Sequence, residues 1–142
     1  MNLILNLEKK PNIEFYQNLG KLFYAIAAAD NHVRDEEFNT LESIINNEWT
    51  LLENLETDFN DSNANIILNT FNWLHNNNAY NSEICYNNFI NFKRSHEGFF
   101  NKKINSKILK IASKIAASFS GVNKSELMML AKLDIEFKKS SN

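Results

Sequence analysis

The sequence contains few of the residues that build tight turns or covalent cross-links. Three glycines and one proline occur among its 142 residues. Strand-rich folds need many tight turns, and tight turns draw on glycine and proline, so this scarcity favours an all-α fold. Cys85 is the single cysteine, which excludes an intrachain disulfide.

Long hydrophobic runs are missing as well. No apolar window approaches the ~20 residues of a membrane-spanning helix. The opening segment MNLILNLEKK has too short an apolar run for a secretory signal and lacks the basic start of one. Together with the lone cysteine, these features predict a cytoplasmic protein without a membrane span.

Charge is divided unevenly along the chain. Residues 1–61 hold 12 acids and 4 bases, a net charge of −8, whereas residues 62–142 hold 5 acids and 11 bases, a net charge of +6. Such polarity bears on partners rather than on the fold. The basic half can meet an acidic protein, including the acidic half of a second copy, so a homodimer is one of the expected assemblies.

Hydrophobic periodicity predicts about six helices in a single all-helical domain, residues 1–142. The expected helices are, in order, 11–30, 35–56, a third between breaks at 58–65 and 75–82, a fourth over 82–98, a fifth over 105–119 and a sixth that begins after Asn123. In the sixth helix the predicted buried stripe consists of Leu127, Leu130, Leu133 and Phe137.

Two segments of the chain are similar to each other. With an offset of 89 residues, Ala27 aligns with Ala116, Val33 with Val122 and Glu37 with Glu126. Both segments have a helix rich in small residues, a short turn, a valine and a second helix with an early glutamate. This pattern predicts two pseudo-repeated helix-loop-helix halves, about residues 12–56 and 105–139.

These segments resemble a known family. AIAAADNHVRDEEF and KIAASFSGVNKSEL are similar to the two halves of the tellurite-resistance TerB-like domains, and the resemblance covers about residues 12–138. It implies a non-enzymatic, all-helical, pseudo-twofold domain of bacterial stress and phage-defence operons, related to the N-terminal domain of a DnaJ-like cochaperone. It also implies a divalent-cation site, and the matching positions are Asp30, Glu37 and Glu126. Two positions depart from the family pattern, because Asn31 replaces a glycine and Phe119 replaces an aspartate.

The acidic loop of the first half allows two interpretations. Asp30 and the run Asp35 to Glu37 place four carboxylates within eight residues, and Ca²⁺ or Mg²⁺ prefers such oxygen ligands. The spacing does not match an EF-hand loop. Alternatively, Asp30 organises a turn through its side chain, and the three following acids complement the dipole of the next helix. A divalent cation is the one cofactor that the sequence suggests.

A basic face follows in the second half. Lys107, Lys110 and Lys114 share one side of a helix, and Lys102 and Lys103 come just before them. This face could be solvated surface opposite the apolar stripe, a contact for an acidic protein partner, or a phosphate or nucleic-acid contact. No recognised nucleic-acid motif is present, so a protein partner of unknown identity is the expected ligand.

The sequence contains no recognisable catalytic motif. The three histidines have no zinc-ligand spacing, and Cys85 shares a predicted apolar face, where an inert buried thiol is expected. The sequence therefore predicts a non-enzymatic interaction module. The alternatives are a metal-dependent enzyme that uses the clustered carboxylates, or a nucleic-acid or phosphate-binding module that uses the basic face.

Overall fold

The computed structural model describes residues 13–29, 33, 35–55, 61–77, 81–118 and 124–140, with the backbone alone at 35–37, 49–55, 61, 62 and 140. Over these ranges the chain is all-α, as predicted, and has six α-helices and one short 3-10 helix without a strand. The helices are α1 (Ile13–Ala27), α2 (Asp35–Leu55), α3 (Asp61–Asn77), α4 (Ser82–Ser95), α5 (Lys102–Ser118) and α6 (Lys124–Ser140), and the 3-10 helix is Glu97–Phe99. None of the described helices is long and apolar enough to cross a membrane.

Helix α1 lies at the centre of the fold. It packs against α3, α4, α5 and α6, and 11 of its 15 residues are buried. Phe15, Leu19 and Phe23 have no exposed surface at all. A helix that is apolar around most of its circumference is stable only inside a core, so the other helices are arranged around this one.

Helices α1 and α3 approach each other closely at Gly20. A Cβ atom added there would lie 2.7 Å from Cβ of Thr70 and 2.8 Å from the carbonyl oxygen of Ile67. The carbonyl belongs to the α3 backbone, so a side chain at this position requires the helices to separate. Glycine therefore sets the distance between the two helices.

Aromatic rings close one end of the core. The 3-10 turn after α4 places Phe99 and Phe100 inside, and Phe15 packs edge-on against Phe99 with ring centroids 5.8 Å apart. Sequence predicts a kink or a helix end at Gly98, and the structure shows that α4 ends at Ser95, with Gly98 in the 3-10 turn. His96 stacks on Phe92 at 4.2 Å between centroids, so this histidine has a packing role.

The register of α6 differs from the prediction. Leu133 and Phe137 are buried as expected and Leu130 is partly buried, but Leu127 is 54 % exposed. Glu126 faces inward instead, with no exposed surface. The inward stripe thus begins one residue earlier, because positions 126, 130, 133 and 137 follow helical spacing.

Two helix starts also lie earlier than predicted. Residues 61–65, expected within a break, belong to α3, because Ala64 extends the buried stripe that contains Ile67 and Phe71. Helix α5 begins at Lys102 rather than 105, because the Asn101 side chain accepts a hydrogen bond from the backbone N–H of Ile104 at 2.8 Å. Packing and capping outweigh the weak helix propensity of asparagine.

The proposed repeat is matched at some positions. Ala27 and Ala116 are both fully buried. Phe38 is half-buried against the core, whereas its counterpart Leu127 is exposed. Helices α5 and α6 pack on each other, while α2 packs mainly on α5 and α3. Pseudo-repeated halves therefore remain a prediction.

Substitution of Gly20 by alanine tests the α1–α3 contact. In an exposed helix this change stabilises by about 1 kcal/mol. Here we expect it to lower the free energy of unfolding by about 1–3 kcal/mol, because the added methyl group forces two packed helices apart. Chemical denaturation measures the change, with the exposed Gln17→Ala in the same helix as the control. A Gly20→Ala protein as stable as the wild type would contradict the close contact.

Candidate functional site

A charged residue occupies a core position of α2. Leu41 and Ile45 are fully buried, and Glu48 follows at the same helical spacing with 8 % of its surface exposed. Burial of a carboxylate is costly unless opposite charges or hydrogen bonds compensate it. The partners of Glu48 therefore decide whether this part of the fold is stable.

Those partners come from α5, which packs against α2. The apolar side of α5 consists of Ile104, Ile108, Ile111 and Ile115, all buried. The predicted basic residues Lys107, Lys110 and Lys114 occur at intervals of three and four residues. They lie on one flank of the helix, where they reach α2 rather than pointing away from the core.

All three lysines converge on the single carboxylate. Nζ of Lys107 lies 3.4 Å and Nζ of Lys110 lies 3.5 Å from Oε1 of Glu48. Lys114 donates a hydrogen bond to the other oxygen, Oε2. Among the side chains that the structure describes, three positive charges thus surround one negative charge, an excess of two.

The lysines hold Glu48 in its charged form. The hydrogen bond from Lys114 is the largest influence, and it lowers the pKa of Glu48 to about 2 from an ordinary value of 4.5, with further help from Lys107 and Lys110. Burial opposes this change. The attraction of the lysines therefore outweighs desolvation, and Glu48 is ionised at neutral pH.

A second buried charge cluster joins α4 to α6. Lys93 has no exposed surface, and its Nζ lies 3.4 Å from Oε2 of Glu136 and 3.4 Å from Oε2 of Glu97. Arg94 binds Glu136 with two hydrogen bonds, of 3.0 and 2.8 Å. The bonds from Arg94 are the main reason that the pKa of Glu136 lies below its usual range.

The residues predicted to bind a divalent cation are only partly described. Asp30 lies outside the described residues, and so does the side chain of Glu37, whose backbone belongs to the first turn of α2. Glu126 lies in the first turn of α6 and is completely buried. Within the described ranges there is no group of three His, Cys, Asp or Glu side chains placed to hold a metal ion.

The predicted apolar position of Cys85 is confirmed. Its side chain is 1 % exposed, and burial raises the pKa of the thiol. A protonated thiol inside the core is a poor nucleophile. Cys85 is therefore a packing residue.

Sequence reasoning identified the three lysines but not Glu48, Lys93 or Glu136. Each of these charged residues occurs at the helical spacing of an apolar stripe, as Glu48 does after Leu41 and Ile45. A charged residue at such a position is a signal for a buried ion pair. The partner on another helix cannot be found from spacing, because Glu48 and Lys114 are 66 residues apart.

The low pKa of Glu48 makes the fold sensitive to acid. A carboxylate whose pKa is lowered in the folded state stabilises the protein above its unfolded pKa and loses this effect as the pH falls towards the folded value. The two values of 4.5 and about 2 correspond to at most about 3 kcal/mol. Half-exposed lysines screen the charges, so about 1–2 kcal/mol is expected.

Denaturation of Glu48→Gln checks this expectation. The variant should be less stable than the wild type at pH 7, and the difference should shrink as the pH falls from about 4.5 to about 2.5. Glu42→Gln, an exposed change in the same helix, is the matched control. A difference between Glu48→Gln and the wild type that does not change with pH would refute the role of the ionised carboxylate.

The candidate site is defined by the contacts among its own residues. In comparisons with protein-family models, curated proteins and solved structures, no match to this chain was found. The resemblance to TerB-like domains accordingly rests on the sequence segments quoted above. The lysine–glutamate cluster of α2 and α5, formed by Glu48, Lys107, Lys110 and Lys114, is the candidate functional site.

Proposed function

We propose that this chain is a non-enzymatic helical interaction module of the TerB type that binds an acidic protein segment through the lysine face of α5. The observation that carries the proposal is the excess of positive charge around Glu48. Three ammonium groups share one carboxylate there. A further carboxylate from a partner would find cations that are not fully neutralised.

The cluster is both accessible and preorganised. The side chains of Lys110 and Lys114 are 55 % and 47 % exposed, whereas that of Glu48 is only 10 % exposed. The buried carboxylate restrains the ends of two long side chains that keep contact with solvent. Binding then costs less side-chain entropy than it would with freely rotating lysines.

The start of α5 extends the same basic surface. Lys102 and Lys103 lie in its first turn and are exposed. Cations there oppose the helix dipole, at a cost of about 0.3–1 kcal/mol each. The exposed Lys102 adds a further positive charge to the surface that would meet an acidic partner.

An acidic protein is favoured over nucleic acid because the whole chain is negatively charged. The net charge is −2, and residues 1–61 alone carry −8, which would repel a long polyanion. A short acidic segment meets fewer of these negative charges than a long polyanion does. The acidic half of a second copy is one such partner, and in that case the module is a homodimer.

Binding of a fluorescent Glu-rich peptide tests the proposal. Lys110→Gln combined with Lys114→Gln should weaken binding about tenfold at low salt, because each lost contact is worth up to ~1 kcal/mol. The control pair Lys124→Gln and Lys138→Gln removes the same charge from exposed sites on α6 and should change the affinity less than about twofold. Equal losses would mean that only net charge matters, and tighter binding of duplex DNA would favour the nucleic-acid alternative.

We further propose that a divalent cation, Ca²⁺ or Mg²⁺, tunes the module at Asp30, Glu37 and Glu126. The support is the resemblance of these positions to the family pattern, together with the burial of the Glu126 carboxylate, which solvates poorly without a positively charged or hydrogen-bonding partner. The alternative of a metal-dependent enzyme uses the same carboxylates. It requires three or more ligands that converge beside an open pocket.

Thermal unfolding with Ca²⁺, Mg²⁺, Mn²⁺ or Zn²⁺ against a chelator tests this cation site. A cation at 100 times its dissociation constant should add about 2.7 kcal/mol to stability. The added stability should vanish in Asp30→Asn and persist in Glu42→Gln, which removes an exposed charge elsewhere. If no cation raises the midpoint, Asp30 acts only as a turn residue.

A further inference from the structure

A polar cleft lies between α4 and α6, away from the lysine–glutamate cluster of α2 and α5. Its volume is about 500 Å³. Helix α4 contributes Asn87, Asn91 and Arg94, and helix α6 contributes Lys132 and Lys139. These side chains occur at helical spacing on both helices, so each helix presents one continuous side to the cleft.

The cleft exists because side chains, not close backbone packing, join α4 to α6. The two helices are not among the pairs whose described backbones pack closely. Arg94 bridges them through its two hydrogen bonds to Glu136. Phe89 packs edge-on against Phe137, with ring centroids 6.3 Å apart. Glu136 is nearly buried, so it fixes Arg94 at the wall of the cleft.

The cleft carries an excess of positive charge. Arg94, Lys132 and Lys139 face one carboxylate, that of Glu136, which leaves a net charge of +2 among the lining residues. Nζ of Lys132 lies 5.0 Å from the ring centroid of Tyr86, a distance that restrains the ammonium group over the ring. Two of the three cations are therefore held in place by the fold.

The charge and the hydrogen-bond donors fit one kind of ligand. A phosphomonoester carries about −1.5 to −2 at pH 7 and presents three acceptor oxygens. Arg94 uses only two of its N–H groups for Glu136, and guanidinium groups bind phosphate oxygens well. The side-chain amides of Asn87 and Asn91 add neutral donors.

The lining also offers apolar surface beside the cations. Ile90 and Ile135 border the cleft, and Ile135 is 56 % exposed. A cleft of this volume suits a small molecule. We propose that the α4–α6 cleft binds a small molecule whose phosphomonoester group contacts Arg94, Lys132 and Lys139 and whose carbon skeleton lies against Ile90 and Ile135.

Titration of the whole chain with phenyl phosphate tests the proposal. Isothermal calorimetry measures affinity, and amide NMR spectra locate the ligand through the side-chain signals of Asn87 and Asn91. Phenyl sulfate, which has the same ring and one negative charge fewer, should bind about fivefold more weakly, since a second charge at a partly exposed site is worth ~1 kcal/mol. Inorganic phosphate should bind more weakly than phenyl phosphate, because it lacks the apolar group.

Variants separate this cleft from the rest of the surface. Lys132→Gln combined with Lys139→Gln should weaken phenyl phosphate binding at least about tenfold. The matched pair Lys124→Gln and Lys138→Gln, exposed on α6 and outside the cleft lining, should change it less than about twofold. Both pairs alter solvated residues, so NMR spectra should show that the folded state is retained.

Three results would overturn the proposal. One is the absence of saturable phenyl phosphate binding at millimolar concentration, and another is an equal loss of affinity in the two variant pairs. The third is binding of a phosphoserine peptide with no binding of phenyl phosphate, which would assign the cleft to a protein ligand. None of these results depends on the acidic-peptide contact of α5, so the two proposals fail separately.

Discussion

The burial of α1 on nearly all sides is the constraint on which the rest of the structure depends. Four helices pack around it, and each must therefore present an apolar stripe to the same central element. Gly20 lets α3 approach closely, and a hydrogen bond of 2.7 Å from Oγ of Ser82 to the carbonyl oxygen of Ala25 ties the start of α4 to the end of α1. With these apolar stripes buried against α1, the sides of the outer helices form the polar contacts between neighbouring helices.

Those polar contacts follow one physical scheme in two places. A glutamate within an apolar stripe is buried, and cations from another helix balance its charge. Lysines of α5 do this for Glu48 of α2, and Lys93 and Arg94 of α4 do it for Glu136 of α6. Removing one partner of a buried ion pair leaves an uncompensated charge, which is strongly destabilising. Among the described side chains, three lysines contact the single carboxylate of Glu48, whereas Lys93 and Arg94 are balanced by Glu136 and Glu97. Surplus positive charge therefore remains at the surface near Glu48.

The spacing of apolar residues in the sequence was sufficient to predict the all-α class and most of the helices. The spacing of Phe15, Leu19 and Phe23 and that of Ile108, Ile111 and Ile115 could be recognised in the sequence, and both stripes are buried. The three lysines of α5 were also recognised as a group. Their engagement with Glu48 was not, because pairing between helices distant in the chain leaves no trace in local spacing. The prediction of the α6 register was wrong for a related reason. Hydrophobicity alone favours Leu127 over Glu126 at an inward position, whereas the structure buries Glu126.

The sharing of one carboxylate among three lysines has a consequence for how the sequence can change over generations. Loss of any one of Lys107, Lys110 or Lys114 leaves two ammonium groups near Glu48, so each lysine position is individually tolerant of drift. Glu48 has no such redundancy, because its loss would remove the one described carboxylate that contacts all three lysines. Variation is therefore expected to be permitted at the exposed side of the cluster and restricted at the buried side, which allows the outer surface to be retuned for new partners while the anchor stays constant.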